Sequence, residues 1–331
     1  MVSRRSFLVS SAVTLALGRA ALAAAATSDP GFKLFDAHCH LRTDDTVRYP
    51  RGTAANGQGR PPGSPGGPPA PSGPSPSVEA VLGWMDANGV AGGAAVQHRG
   101  SYGFDNRYIL DSADAHRDRL VPVCVLDAES ADTPAQIRAY VQQHGLAGVR
   151  LTGMRAEGGG FPWLSSTAAQ ATWAVANEFG LVLDLMTSPP GEMTDAIDEY
   201  LRLAKRFPKV RLVLDHVAWP RAEGAPDFGI DAAIRSLAAQ RNIYYKFTTI
   251  NLDTLSAAGI AAPPMLRHVV DVFGADHVLW GSDIGNTPGP YSSMVERIHA
   301  AASGLTAAQR RAVLHDTGKR VYARGGSLAR A

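Results

Sequence analysis

Eight short apolar runs, separated by amphipathic stretches, restrict what this chain can fold into more than any other feature. They cover Leu34–His40, Val90–Gln97, Leu120–Leu126, Ala147–Leu151, Leu181–Met186, Val210–His216, Ile243–Thr248 and His277–Asp283. The clearest of them are continuously apolar rather than alternating, which marks strands buried on both faces, as in a parallel sheet. Helical spacing fills the gaps over Val78–Asn88, Asn106–His116, Pro134–His144, Ala168–Phe179, Met193–Phe207, Asp231–Gln240, Pro264–Phe273 and Tyr291–Ala302, and Leu305–Tyr322 adds helix beyond the last strand. Gly180 and Gly274 stand where helix C-caps are expected. Eight strands alternating with helices predict an α/β fold, a single-domain (β/α)8 TIM barrel. A doubly wound sheet is the rival. It usually has fewer strands, and no Gly-x-Gly-x-x-Gly turn follows the first strand here. A chain of 331 residues is in range for one barrel, and 45% hydrophobic residues suffice for its core.

Two segments stand outside that pattern. Met1–Arg5 carries Arg4 and Arg5, Phe7–Leu17 is apolar and uncharged, and Ala21-Leu22-Ala23 offers a small-residue cleavage site, with Ala24–Ala26 as alternatives. This is the layout of a secretory signal over residues 1–26, with an apolar run shorter than the roughly 20 residues that span a bilayer. Ser3-Arg4-Arg5-Ser6-Phe7-Leu8 is similar to the twin-arginine signal, which implies the twin-arginine export machinery as a partner and a periplasmic location. The mature barrel then occupies 27–331, with no stable membrane insertion. Arg51–Ser77 is dense in Pro, Gly and Ser and reads as a flexible loop after the first strand, on the catalytic rim of a barrel, either a lid or a tolerated insertion. With 32 basic and 30 acidic residues, the chain presents no electrostatic case for binding nucleic acid. Two cysteines, Cys39 and Cys124, form neither a disulfide framework nor a C-x-x-C pattern.

The chemistry concentrates at strand ends. In Asp36-Ala37-His38-Cys39-His40, the two histidines are two residues apart and face one way, with Cys39 facing the other. They sit at the C-terminal end of the first strand, where barrel active sites are built, and paired imidazoles suit a divalent metal, zinc first among them. His216 ends the sixth run and Asp283 the eighth. Charged or polar groups closing apolar strands are costly unless used or satisfied. His38, His40, His216 and Asp283 therefore converge on one rim and support metal-assisted hydrolysis of a small-molecule substrate, with Asp283 taking a proton from water and the metal or the histidines polarising a carbonyl. Arg150, inside an apolar strand, needs an anionic partner that its fork can hold bidentately. Lys246 either points into the barrel toward substrate or snorkels outward. His98 and Arg99 follow the second run as rim residues, Trp219 either walls the pocket or packs, and Asn286-Thr287 before Pro288 reads as a turn.

Those motifs, with Asp215-His216-Val217-Ala218-Trp219-Pro220, Trp280-Gly281-Ser282-Asp283 and the terminal His315–Tyr322 stretch, resemble the amidohydrolase-2 family of barrel metal-dependent hydrolases over about residues 34–324. Within it, Gln97, Gly103–Asp111 and Gly148-Val149-Arg150-Leu151 are similar to the branch of 2-pyrone-4,6-dicarboxylate lactonase and sugar lactonases. The resemblance implies lactone hydrolysis, a substrate carboxylate on Arg150, and Gln97 among the substrate contacts. Many members supply a histidine from the fifth strand. Here Asp184 stands there, either as a substitute ligand or as a rim residue. The lactonase branch also lacks that histidine, and its dicarboxylate lactonase is thought to work without metal. The histidines are therefore ligands or direct polarisers. The rivals are decarboxylation or other bond cleavage on the same site, and an exported binding protein without turnover.

Overall fold

The computed structural model describes residues 31–51, 75–187 and 190–323. The signal-like residues 1–26 and most of the Pro/Gly-rich segment, 52–74, lie outside them. Eight strands form one sheet in the order β1 to β8: β1 Leu34–His40, β2 Val90–Val96, β3 Leu120–Val125, β4 Gly148–Gly153, β5 Val182–Thr187, β6 Arg211–Leu214, β7 Ile243–Thr248 and β8 Val278–Gly281. Every neighbouring pair is parallel. The last strand returns to the first: Asp283 N–H donates to His38 O at 2.8 Å, and His40 N–H donates to Ile284 O at 2.9 Å. Gly281 makes this closure possible, because a Cβ there would lie 2.5 Å from the His38 Cβ. Lys33–Ala331 is one compact unit, a nearly closed α/β barrel.

Helices follow the strands for ordinary local reasons. Ser77 and Ser166 cap Val78–Ala87 and Thr167–Phe179, each side chain accepting from a backbone amide three residues on. Gly145 and Gly180 end their helices in the left-handed conformation. The sixth strand ends at Leu214, two residues earlier than its apolar run, because the chain turns sharply at Asp215. Where the sequence predicts one helix over Met193–Phe207, a 3-10 turn, Pro190–Ala196, precedes helix Ile197–Arg206. Helix Thr249–Ala257 was not legible in the periodicity and follows β7. The terminal helical stretch splits around a π-turn, Ala312–Asp316, and ends in Thr317–Tyr322. Tyr322 and Val321 pack with Phe35, Ala37, Val121, Val182 and Val213 in the barrel core.

Candidate active site

β1 has an irregularity between Asp36 and Cys39 where it pairs with β2. Beyond it, His38 and His40 face the barrel interior while Cys39 is buried outside them, its thiol 3.4 Å from Ala94 O. Asp36 takes no part in the interior. It staples β1 to β8, accepting from His38 N–H at 3.0 Å, from Ser282 N–H at 2.8 Å and from Tyr291 Oη at 3.0 Å.

The structure brings His38, His40, His216 and Asp283 together. His38 Nε2 lies 3.1 Å from His40 Nε2, and each is 3.4 Å from Asp283 Oδ1. Asn286 Nδ2 and Thr287 Oγ1 donate to the other carboxylate oxygen, Oδ2, at 2.9 and 2.5 Å. Asn286-Thr287 is therefore more than the turn the sequence suggests: it orients Asp283. Oδ1 is buried without a hydrogen-bond partner among the described residues. Burial alone would raise the Asp283 pKa, but the neighbouring imidazoles of His40, His38 and His216 outweigh it, and the carboxyl is held well below its usual range.

His216 arrives by a different route. Asp215, not His216, continues the inward alternation of β6, and His216, Val217, Ala218 and Trp219 then adopt positive φ of 53°, 58°, 59° and 55°. Left-handed L-residues cost on the order of 1–2 kcal/mol each, and such strain concentrates at functional sites. Asn251 Nδ2, from the helix after β7, donates to His216 O at 2.9 Å and holds the turn. The Thr248 hydroxyl donates to Asn251 Oδ1 and so accepts from His216 Nδ1 at 2.7 Å. That fixes the tautomer and leaves the His216 Nε2 lone pair free. Burial lowers the His216 pKa to about 4, so the ring is neutral at pH 7. Trp219 meets its ring edge-on at 4.8 Å.

Beneath the histidines lies a fully buried charge network. Lys246 points inward: Nζ is 2.9 Å from His38 Nδ1, 2.8 Å from Asp184 Oδ2 and 3.1 Å from Asp215 Oδ1. Tyr322 Oη donates to Asp184 Oδ1 at 2.6 Å, and Arg150 Nε donates to Asp215 Oδ2 at 2.9 Å. Asp184 thus has one oxygen on Lys246 and the other on Tyr322, and it forms with His38 and Asp215 a second group whose ligand atoms all lie within 4.8 Å of one another. Burial raises the Asp184 pKa against the pull of Lys246, whereas at Asp215 Lys246 and Arg150 overcome burial and lower it. Asp215, Thr248, Asn251 and Tyr322 were missed by sequence reasoning. Only Asp215 gave a signal, as the residue that strict alternation turns inward.

Around the mouth, Arg150 Nη2 meets the Met186 thioether at 3.4 Å. Gln97 spends its amide on the following segment, donating to Gly103 O at 2.6 Å and Asp105 O at 3.2 Å. His98 is buried beside His40 with ring centroids 5.2 Å apart, and Arg99 bonds the Thr152 hydroxyl. The Pro/Gly-rich segment re-enters at this rim, where Arg42 N–H donates to Pro76 O at 2.9 Å.

The open set suits one divalent cation. Three ligand atoms at these separations leave a point about 2 Å from each, the length of a metal–nitrogen or metal–oxygen bond. The orphaned Asp283 Oδ1 is one of those atoms. His40 Nδ1 donates to Val96 O at 2.8 Å, which frees its Nε2 lone pair. His38 Nδ1 faces both a donor, Lys246, and an acceptor, Asp215 Oδ1 at 3.5 Å, so either tautomer is served.

A model of the amidohydrolase family matches residues 35–324. The chain belongs to that family. That membership makes it an enzyme. A relative, L-fucono-1,5-lactonase of Burkholderia ambifaria, is 27% identical over an alignment covering 54% of this chain and 60% of the lactonase. Three solved structures share the fold. A provisionally named 2-pyrone-4,6-dicarboxylic acid hydrolase from Pseudomonas putida has TM-score 0.64 at 22% identity, covering 88% and 97% of the two chains. A Burkholderia multivorans amidohydrolase with bound zinc has TM-score 0.61 at 18% identity, covering 88% and 99%. A 5-carboxyvanillate decarboxylase from Novosphingobium aromaticivorans with bound manganese has TM-score 0.57 at 12% identity, covering 89% and 98%.

Proposed function

We propose that this enzyme is a hydrolase that opens a lactone of a small carboxylated substrate. The observation that carries the reading is the division of labour at Asp283: Oδ2 is fixed by Asn286 and Thr287, while Oδ1 is free and points at the two imidazoles. A fixed carboxylate with one open oxygen can take a proton from water held against a carbonyl carbon. Water oxygen bonds to that carbon, the ring C–O bond breaks, and the proton passes from Asp283 to the departing ring oxygen. The product is a hydroxy acid. His38, His40 and Asp283, with His216 beside them, would hold a divalent cation, zinc by the donor set, which supplies Lewis-acid polarisation of the carbonyl when bound. Without it, His38, whose Nδ1 can accept from Lys246, would present its Nε2–H to the same oxygen.

The substrate's acidic group follows from the rim. Arg150 spends Nε on Asp215, and among the described residues its Nη2 has a weak thioether acceptor that a carboxylate displaces. Arg42 Nε and His98 Nδ1 are buried without a hydrogen-bond partner among the described residues. Likeness to a lactonase supports ring opening, while likeness to a decarboxylase names the competing reaction. The test is a panel of neutral and carboxylated lactones, followed by proton release, with carbon dioxide measured in parallel on unsaturated acids. Hydrolysis confined to carboxylated lactones and lost in Asp283→Asn is expected. Carbon dioxide release without lactone opening would overturn the reading. We further propose export through the twin-arginine route to the periplasm, on the strength of Arg4-Arg5 and the Ala21–Ala23 site. A mature N-terminus at Met1 in a fractionated host would defeat it.

A further inference from the structure

His38, Asp184 and Asp215 make a second set with metal-ligand geometry, their ligand atoms all within 4.8 Å of one another. Unlike the set at the mouth, this one encloses a positive charge. The Lys246 ammonium lies 2.9, 2.8 and 3.1 Å from the three atoms. All four residues are fully buried. The remaining carboxylate oxygens are taken by Tyr322 and Arg150. An ammonium is a compact point charge with three donors, and here it meets two carboxylate oxygens and one imidazole nitrogen, the N/O donor types that bind divalent ions.

We infer that Lys246 is a built-in cation standing in the place of a second metal ion, and that removing its ammonium creates a divalent-cation site between Asp184 and Asp215. The side chain that the sequence offers as a substrate contact is then a positioning residue. It keeps the inner set from competing for metal and holds His38 from below. The inference goes beyond the lactonase reading and does not depend on a metal acting at the mouth, because it concerns the difference between two forms of the chain.

The experiment compares the full chain with Lys246→Ala, both equilibrated with Mn2+, by counting bound metal and by anomalous scattering from crystals. Lys246→Ala is expected to hold one Mn2+ more per chain than the unmodified protein, with the additional peak between Asp184 and Asp215. Lys246→Ala combined with Asp184→Asn is expected to lose that extra ion. An equal count in folded Lys246→Ala, or a Mn2+ peak between Asp184 and Asp215 in the unmodified protein, overturns the inference. If Lys246→Ala folds only when Mn2+ is supplied, the ion is replacing the ammonium, as inferred. If it folds neither with nor without Mn2+, the replacement fails and the inference with it. An unmodified protein that is active with no bound metal would remove the metal-assisted reading of the mouth while leaving this comparison intact.

Discussion

The barrel holds two triads that share His38 and differ in one respect. In the inner triad every acceptor faces a donor or a fixed cation: Lys246 sits among its three ligand atoms, and Tyr322 and Arg150 take the outer carboxylate oxygens. Among the described residues Asp215 Oδ1 and Asp283 Oδ1 are both buried without a hydrogen bond, but the Lys246 ammonium lies 3.1 Å from the first, whereas in the outer triad no fixed cation stands against the second. Leaving a buried acceptor unpaired costs about 1–3 kcal/mol, and more for a charged group. A fold keeps such an atom where substrate, water or metal will complete it. The satisfied triad is therefore read as the foundation of the site and the unsatisfied one as its reacting face.

The largest expected effect tests that division directly. Asp283→Asn keeps the shape and removes the proton acceptor, so kcat/KM should fall by about 10²- to 10⁴-fold with little loss of stability. Retention of activity within a few-fold would break the assignment of the outer triad. Asp215→Asn should show the converse. It leaves Lys246 and Arg150 with a weakened partner in a fully buried place, where breaking one side of an ion pair costs about 3–5 kcal/mol. Denaturant unfolding measures this, and a smaller loss than in Asp283→Asn would reverse the roles of the two triads.

How far this was legible in the sequence differs strand by strand. β1 was legible in part: alternation in a strand is a local rule, so His38 and His40 share a side by their spacing, but the irregularity between Asp36 and Cys39 that turns that side to the interior left no mark on it. The barrel was legible by a local rule too, as eight buried apolar runs. The β6 end was not. His216 reaches the site only through four consecutive left-handed residues, which no propensity scale favours, and they are held by Asn251 from a helix the periodicity did not reveal. Lys246 left two readings open, because an amphipathic side chain in a strand can go either way until its partners are known. Those partners, His38, Asp184 and Asp215, lie 208, 62 and 31 positions away in the chain. Tertiary pairing of that kind leaves no mark on local sequence.

Acid sharpens the comparison further. In the unfolded chain an imidazole titrates near 6.5, whereas buried His216 takes a proton only near about 4. Between those values the unfolded state binds more protons, so stability falls as pH is lowered, by up to about 3 kcal/mol from this residue. Burial shifts His38 and His98 in the same direction. Asp215, held below the usual 3.8, keeps its contribution above that value and loses it only at lower pH. Metal-stripped protein should therefore lose thermal stability between pH 6.5 and pH 4 through its histidines, and His216→Gln should flatten the slope. An unchanged slope in the variant would show that the His216 ring is not the buried neutral group described.

The smallest effect bears on the finest distinction, that between the two oxygens of one carboxylate. Thr287 Oγ1 donates to Asp283 Oδ2 at 2.5 Å, and Asn286 Nδ2 donates to the same atom at 2.9 Å. Thr287→Val removes the shorter bond at nearly constant volume. A hydrogen bond to a charged group contributes about 1.5–3 kcal/mol, but Asn286 remains and retains part of the orientation. The loss should fall at the low end, roughly tenfold in kcat, with KM for a carboxylated lactone little changed because Arg150 is untouched. Thr287→Ser, which restores the hydroxyl, should recover most of it. A fall confined to KM, or a Ser variant no better than Val, would mean that Thr287 shapes the pocket wall rather than aiming Asp283, and that the free oxygen owes its position to the backbone turn at Asp283 alone.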